Sequence, residues 1–462
     1  MAPELRSPLG PLDGRYAHQV SDLAEVFSEA ALNKTRLHVE VEWLITLTNH
    51  HVAGTTPLSG DQQKTLRDRI SQFDSEDVTA LGQIEAHTQH DVKAVEYFLR
   101  GILEQHGMGH LNELVHFACT SEDINNLSYA LLLKNSVHGV WLPEATALAN
   151  DLATLAHKWA HVPMLARTHG QPATPTTFGK EIAVFAHRLR RQLGRISRSD
   201  YLGKLNGATG TFSAHHTAWP AANWPTVSQE FVESLGLAWN PLTTQIESHD
   251  AMAEIFDSVA HSGRILHNLA TDIWTYISMG YLTQIPQPGT TGSSTMPHKI
   301  NPIRFENAEA NLEIADALLR SLASTLTVTR LQRDLTDSSS QRNIGVALGH
   351  SLLALRNIRR GLTEIDIDEA SMADDLAANW EVLAEAIQTV IRAEIVAGTS
   401  TLTDPYDVVK GLTRGQKVSQ ETLKEFVAGL DISDAAKARL HELTPAAYVG
   451  VSAQLVADYL EP

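Results

Sequence analysis

Four short segments of the chain gather the residue types that acid–base chemistry on an anionic substrate would use. The first, Gly289-Thr-Thr-Gly292-Ser293-Ser294-Thr295-Met296-Pro297-His298-Lys299-Ile300-Asn301-Pro302, carries two serines, a histidine and a lysine ahead of Asn301-Pro302, a good N-cap and first-turn pair. Its glycines and small hydroxyl residues suit a lid over an anion at a helix start. The second, Arg167-Thr168-His169-Gly170-Gln171-Pro172-Ala173-Thr174-Pro175, sets His169 in a turn, where an imidazole can serve as general acid or base. It ends in another N-cap-like pair, Thr174-Pro175. In the third, Cys119-Thr120-Ser121-Glu122-Asp123, the Thr120–Asp123 spacing is that of a capping box. Its hydroxyls cap a helix unless a ligand carboxylate competes for the same amides. The fourth, residues 330–342, offers Arg333, Ser338 and Arg342 to a phosphate through forked guanidinium bonds, although local Arg–Asp pairs at a helix junction would use the same residues. Asp13-Gly14-Arg15-Tyr16 adds a cation beside a turn. His87-x-x-His90-Asp91 places two imidazoles one turn apart, but without further ligands it reads as polar contacts at a helix end and not as a metal site.

Something must hold these segments in place, and proline placement shows what. No proline interrupts the runs from Pro175 to Pro220, Pro241 to Pro286 and Pro302 to Pro405, and proline breaks helix interiors. In the second run Ile255, Val259, Ser262, Leu266, Leu269, Ile273 and Tyr276 recur at three- and four-residue steps, the stripe of a long helix. Strand-like alternation is scarce, so the fold reads as all-α, with helices near 22–49 and 88–106 and long rods packed as a bundle. Three parts follow from the breaks: an N-terminal helical domain 1–111, a central long-helix domain 112–364 and a C-terminal helical domain 365–462.

The chain has 462 residues with 36 Lys+Arg against 54 Asp+Glu, a formal charge of −18. That balance, with no run of five basic residues, argues against nucleic acid or an anionic membrane surface as partner. One cysteine, Cys119, excludes an internal disulfide and points to a reducing compartment, where it reads as a small buried hydrophobe. Neither a signal-peptide core nor a membrane span is legible, and a cytoplasmic protein is expected. Dinucleotide, P-loop, zincin and α/β-hydrolase signatures are missing.

Taken together, the segments resemble the fumarase/aspartase superfamily of lyases. Gly292-Ser-Ser-Thr-Met-Pro-His-Lys-Ile-Asn-Pro302 fits every fixed position of its G-S-S-x-M-P-x-K-x-N-P signature. His298 and the Arg-Thr-His-Gly-Gln-Pro-Ala string resemble the branch acting on succinylated purine ribotides, in its bacterial form. The likeness runs from Asp13 through Asn379-Trp-Glu-Val-Leu-Ala-Glu385 to Thr444-Pro-Ala-Ala-Tyr-Val-Gly450. One departure is Gln89, where that branch has Asn before His90-Asp91.

The resemblance implies an α-helical homotetramer with a twenty-helix central bundle, five helices per chain, and active sites shared between chains. It implies β-elimination of fumarate from adenylosuccinate, giving AMP, and from the succinyl-carboxamide ribotide SAICAR, giving AICAR, with no metal or organic cofactor. Ser293 would be the general base and His169 the general acid, with Glu306 supporting His169. Lys299 and Asn301 would hold a substrate carboxylate, and Thr120, Ser121 and Gln245 the succinyl part. Arg15, Tyr16, Arg333, Ser338 and Arg342 would seat the 5′-phosphate, with Gln89, His90 and Asp91 nearby. Two rivals stand beside this reading. A sister lyase acting on argininosuccinate or aspartate would have no use for Arg333 and Arg342 as phosphate ligands. An inactive paralogue would have lost the base, the acid or the carboxylate-binding lysine.

Overall fold

The computed structural model describes residues 8–286, 296, 299–413 and 418–461. It is 67% helical, and among the described residues the strands are only two or three residues long. The all-α expectation holds. The rods are Leu142–Lys158, Phe178–Ile196, Asp250–Ser278, Ile303–Leu326 and Ile344–Thr363. The 29 residues of Asp250–Ser278 make a helix of about 44 Å. Its expected stripe is the buried one: Ile255, Val259, Ser262, Leu266, Leu269 and Ile273 are all shielded from solvent.

Capping residues set the boundaries that periodicity alone blurs. The helix expected over 22–49 is two, Ser21–Val26 and Glu29–Asn49. Ser28 between them is extended and accepts from the Ala31 amide at 3.2 Å, which restarts the helix. The helix expected over 88–106 spans Asp91–Gln105. Ser75–Thr88 ends on Gln89 at φ 55°, and His90 caps the next helix by accepting from the Lys93 amide at 3.2 Å. Thr174-Pro175 does not start a helix. Thr176–Thr177 pairs as a strand with Pro163–Met164, and the helix begins at Phe178.

Compactness divides the chain into two units, each built from three stretches. The first comprises Met1–Ala145, Gln192–Arg264 and Ala308–Arg356. Within it, Glu29–Asn49 packs against Ser121–Ser136 and Asp91–Gln105, around Trp43, whose ring centroid lies 5.0 Å from that of Phe231. The second comprises Thr146–Arg191, Ile265–Asn307 and Asn357–Pro462. Its C-terminal helices close over an apolar cluster that includes Leu383, Ile387, Ile391 and Val427, into which Leu165 also inserts. Among the described residues no helix is long and apolar enough to cross a membrane.

Candidate active site

In the first unit, three arginines from distant parts of the sequence converge. Arg36, 2% exposed, interrupts the apolar stripe of Glu29–Asn49. It donates from Nε to Asn125 Oδ1 at 2.9 Å and from Nη2 to Asp91 Oδ2 at 2.8 Å. Arg342 reaches the same Asp91 oxygen at 3.1 Å and forks onto both oxygens of Glu29 at 2.6 and 2.8 Å. Arg333 donates from Nη2 to Ser338 Oγ at 2.9 Å and pairs with Glu122 Oε1 at 3.0 Å. Its Nη1 lies 3.5 Å from Gln245 Oε1. Between these groups lies a cleft of about 120 Å³, lined among others by Ser121, His90 and Tyr129. Ligand pockets for whole metabolites run to several hundred Å³, so this one suits a single anionic group.

The electrostatics follow from burial opposed by pairing. Burial raises the Glu122 carboxyl above its usual range, with Arg333 and Asn125 opposing. Asp91 goes the other way: burial would raise it, but Arg36, the Val92 amide and Arg342 hold it below the ordinary carboxylate value. Burial pushes the Tyr129 phenol up to about 12. Gln89 turns away and donates to Ala86 O at 2.7 Å. Its left-handed backbone is one that Asn tolerates better than Gln. Thr120 does not line the cleft, and its amide donates to Asp123 Oδ2 at 2.8 Å. The capping-box reading holds, but Asp123 does more. Wholly buried, it also takes the Asn206 amide at 3.0 Å and pairs with buried Lys204 at 2.9 Å, pinning the 200–212 segment. Arg15 lies over the Tyr16 ring at 5.9 Å, and neither residue lines the cleft. Cys119 is half-buried rather than fully so; burial, Asp123 and Glu40 push its thiol up.

In the second unit, His169 sits at the tip of a two-residue hairpin between Arg167–Thr168 and Gln171–Pro172. His169 and Gly170 have φ of 54° and 74°, the left-handed pair of a tight hairpin turn. The tip is exposed, but its stem is not free. Arg167 donates to Asp375 Oδ2 at 2.5 Å, and the Tyr281 hydroxyl donates to the same oxygen. Thr174 donates to Glu385 Oε2, which also takes the Tyr448 hydroxyl at 3.3 Å. The 379–385 and 444–450 strings thus serve to hold this arm. Ser293, Ser294 and His298 lie outside the described residues. The described ends of their segment are tied, as Leu282–Gln284 pairs with Ile365–Ile367 and Gln284 donates to Ile300 O at 2.6 Å. Lys299 is exposed and Asn301 half-buried before Ile303–Leu326. Glu306, in the first turn of that helix, accepts from Trp274 Nε1 at 3.2 Å. Among the described residues no group of three His, Cys, Asp or Glu side chains is placed to hold a metal ion.

Sequence reasoning missed Arg36, Asn125 and Tyr129 as cleft residues, and passed over Glu122 between two hydroxyls and an aspartate it did single out. The signal for Arg36 was present: a charge inside the Leu32, Val39, Trp43, Leu47 stripe must have a buried partner.

A family model described as Lyase matches residues 14–313, and one described as adenylosuccinate lyase C-terminal matches residues 329–449. The chain is 46% identical over 452 residues to adenylosuccinate lyase of Escherichia coli (strain K12), covering 97% of this chain and 98% of that protein. It is 44% identical over 450 residues to adenylosuccinate lyase of Haemophilus influenzae, covering 97% of each. Among solved structures, the fumarate lyase from Mesorhizobium sp. BNC1 superposes with TM-score 0.75 at 18% identity, covering 95% of this chain and 97% of that one. The 3-carboxy-cis,cis-muconate lactonizing enzyme from Pseudomonas putida does so with TM-score 0.72 at 21% identity, covering 95% of each. At that identity the likeness is one of fold.

Proposed function

The chain belongs to the adenylosuccinate lyases of the fumarate lyase superfamily, and from that premise we propose that it releases fumarate from succinylated purine ribotides in purine biosynthesis, turning adenylosuccinate into AMP and SAICAR into AICAR. The observation that carries the substrate reading is the cleft on which Arg36, Arg333 and Arg342 converge with Ser338 and His90. Three guanidiniums around a space sized for one anionic group suit a nucleotide phosphate. A lyase acting on argininosuccinate or aspartate has no such group to seat.

The reaction removes a proton from carbon adjacent to a carboxylate and breaks the neighbouring carbon–nitrogen bond. The electron pair of the C–H bond becomes the double bond of fumarate, and the departing nitrogen takes a proton. Ser293 accepts the first proton and His169 supplies the second. Lys299 and Asn301 hold the carboxylate and stabilise the charge that grows on it, worth several kcal/mol in a water-excluded site. Thr120, Ser121 and Gln245 bind the succinyl part, and Arg15, Tyr16, Arg333, Ser338 and Arg342 the phosphate, near Gln89, His90 and Asp91. An acid at an exposed hairpin tip needs cover from elsewhere, which suits a homotetramer whose sites draw on several chains. Glu306 then supports His169 across such a boundary. Apolar side chains left exposed on the rods, Val184, Trp274, Ile303, Ile314 and Val346, favour helix bundling between copies. The division at residues 111 and 364, and a cytoplasmic location, belong to the same proposal.

Purified protein offered adenylosuccinate, SAICAR and argininosuccinate separately should release fumarate from the first two. Turnover of argininosuccinate alone would overturn the reading. Composite sites are tested by exchanging subunits between Ser293→Ala and His169→Gln proteins, which should restore activity at about a quarter of sites. Confirmed exchange without recovery would place both groups on one chain.

A further inference from the structure

Three arginines and two carboxylates line the cleft, but Glu29 and Asp337 pair with the same guanidiniums from beyond the lining. Glu122, 1% exposed, takes Arg333 Nη2 at 3.0 Å and Asn125 Nδ2 at 2.8 Å on Oε1, while its buried Oε2 has no partner among the described residues. Asp337, 5% exposed, faces the same guanidinium, with Oδ2 3.5 Å from Arg333 Nε and otherwise unpartnered. Asp91 is shared by Arg36 and Arg342, and Glu29 takes the rest of the Arg342 fork. Four carboxylates therefore face three guanidiniums before any anion arrives. The neighbours add no surplus. Lys204 is closed onto Asp123 and Lys93 onto Glu96. His249 is buried beside Glu247 and held toward the neutral form by burial. His90 uses Nδ1 as an acceptor.

We infer that an anion entering this cleft is accompanied by a proton taken up on Glu122. The inference rests on the phosphate-clamp reading above. A dianion brings charge into a site already one carboxylate in excess, and the carboxylates can respond in different ways. Glu29 is 65% exposed and can turn into water. Asp91 keeps two guanidiniums. Glu122 can do neither, because both its oxygens are shut off from solvent and its one guanidinium is shared with Asp337. Two buried carboxylates on one cation are relieved when one takes a proton, and Oε2 is the oxygen with nothing yet bound to it. Burial already shifts Glu122 in that direction. Neutralising it frees Arg333 to turn its fork toward the phosphate.

The test is AMP binding by calorimetry between about pH 7.5 and 8.5, where the phosphate, with a second pKa of about 6, stays dianionic. The wild-type affinity should fall by up to about tenfold across that range, the slope of one proton per site. The heat should vary with the ionisation enthalpy of the buffer. In Glu122→Gln, a permanently neutral isostere, AMP should still bind and the pH dependence should shrink below about twofold. A flat wild-type profile, or the full slope retained in the variant, overturns the coupling. Should the variant not fold, the wild-type proton count in two buffers decides alone, and zero uptake overturns it. If Arg333→Ala binds AMP as the wild type does, the clamp reading itself fails and takes the inference with it.

Discussion

The cleft of the first unit and the hairpin of the second are built on opposite principles. In the cleft, Arg36 and Glu122 are almost wholly shielded, and the arginines are committed to carboxylates before a ligand arrives. In the hairpin, residues 167–172 are exposed, and order comes from the stem: Leu165 in the C-terminal apolar cluster, with Asp375 and Glu385 gripping either side. A receiving site for an anion gains from fixed, desolvated donors. A proton-transfer group needs access to the reacting atom, and an arm anchored at its base supplies position without enclosure. Damage should accordingly show in different quantities, turnover for the arm, and stability or affinity for the cleft.

The sharpest separation is expected from His169→Gln. Turnover should drop by about 10²- to 10⁴-fold, the usual contribution of a general acid. AMP affinity and unfolding free energy should stay near wild type, since the tip is exposed on its own chain; a large loss of stability would mean the arm is structural. Lys204→Met should do the reverse in the first unit. It strands Asp123 without its buried cation, at a cost of about 3–5 kcal/mol by denaturant unfolding. A change below about 1 kcal/mol would show the pair to be dispensable.

A pH scan probes the same unit. Burial lowers His215 to about 4, below the ordinary value near 6.5. The unfolded chain therefore binds a proton that the folded one refuses between those values. Its contribution is full above about pH 6.5 and is lost as pH falls toward 4, up to about 3 kcal/mol in all. His215→Phe should flatten that window, and an unchanged slope would assign it to other groups.

Arg333→Ala should weaken AMP by about 1.5–3 kcal/mol, tenfold or more, and fumarate much less. Equal weakening would move Arg333 to the succinyl pocket. The smallest effect should come from Asp375→Asn, which loosens one side of the hairpin stem. A charge-assisted bond weakened by about 1 kcal/mol should appear as a severalfold fall in kcat at unchanged AMP affinity. A fall in affinity instead would tie the stem to the nucleotide end.

Much of the architecture was legible because helix periodicity is local. The stripe over 255–273 is buried as read, and four of the five rods lie within the proline-free runs, while Leu142–Lys158 carries Pro143 at its start. Errors fell at boundaries. Ser28, Gln89 and His90 are ordinary in composition, and each ends or starts a helix through a single backbone conformation. At Thr174-Pro175 the N-cap signal was outcompeted by the pairing of Thr176–Thr177 with Pro163–Met164, twelve and fourteen residues upstream.

For the site, residue type and spacing along the chain offered Arg333, Ser338 and Arg342 to an anion, the family resemblance added Ser121 and His90, and the cleft brings the five together. Type and spacing also placed His169 in a turn, and that turn is the tight left-handed tip of a hairpin. What sequence could not supply is charge balance. Whether an arginine is free for a ligand depends on which carboxylates share its burial. Glu29, Glu122, Asp91 and Asp337 come from elements up to some 300 residues apart, as the Arg342–Glu29 pair, 313 positions apart, shows. Local pattern decided which groups could do chemistry. Only the fold, by taking those groups out of water together, decided which are already spent on one another and which remain to act.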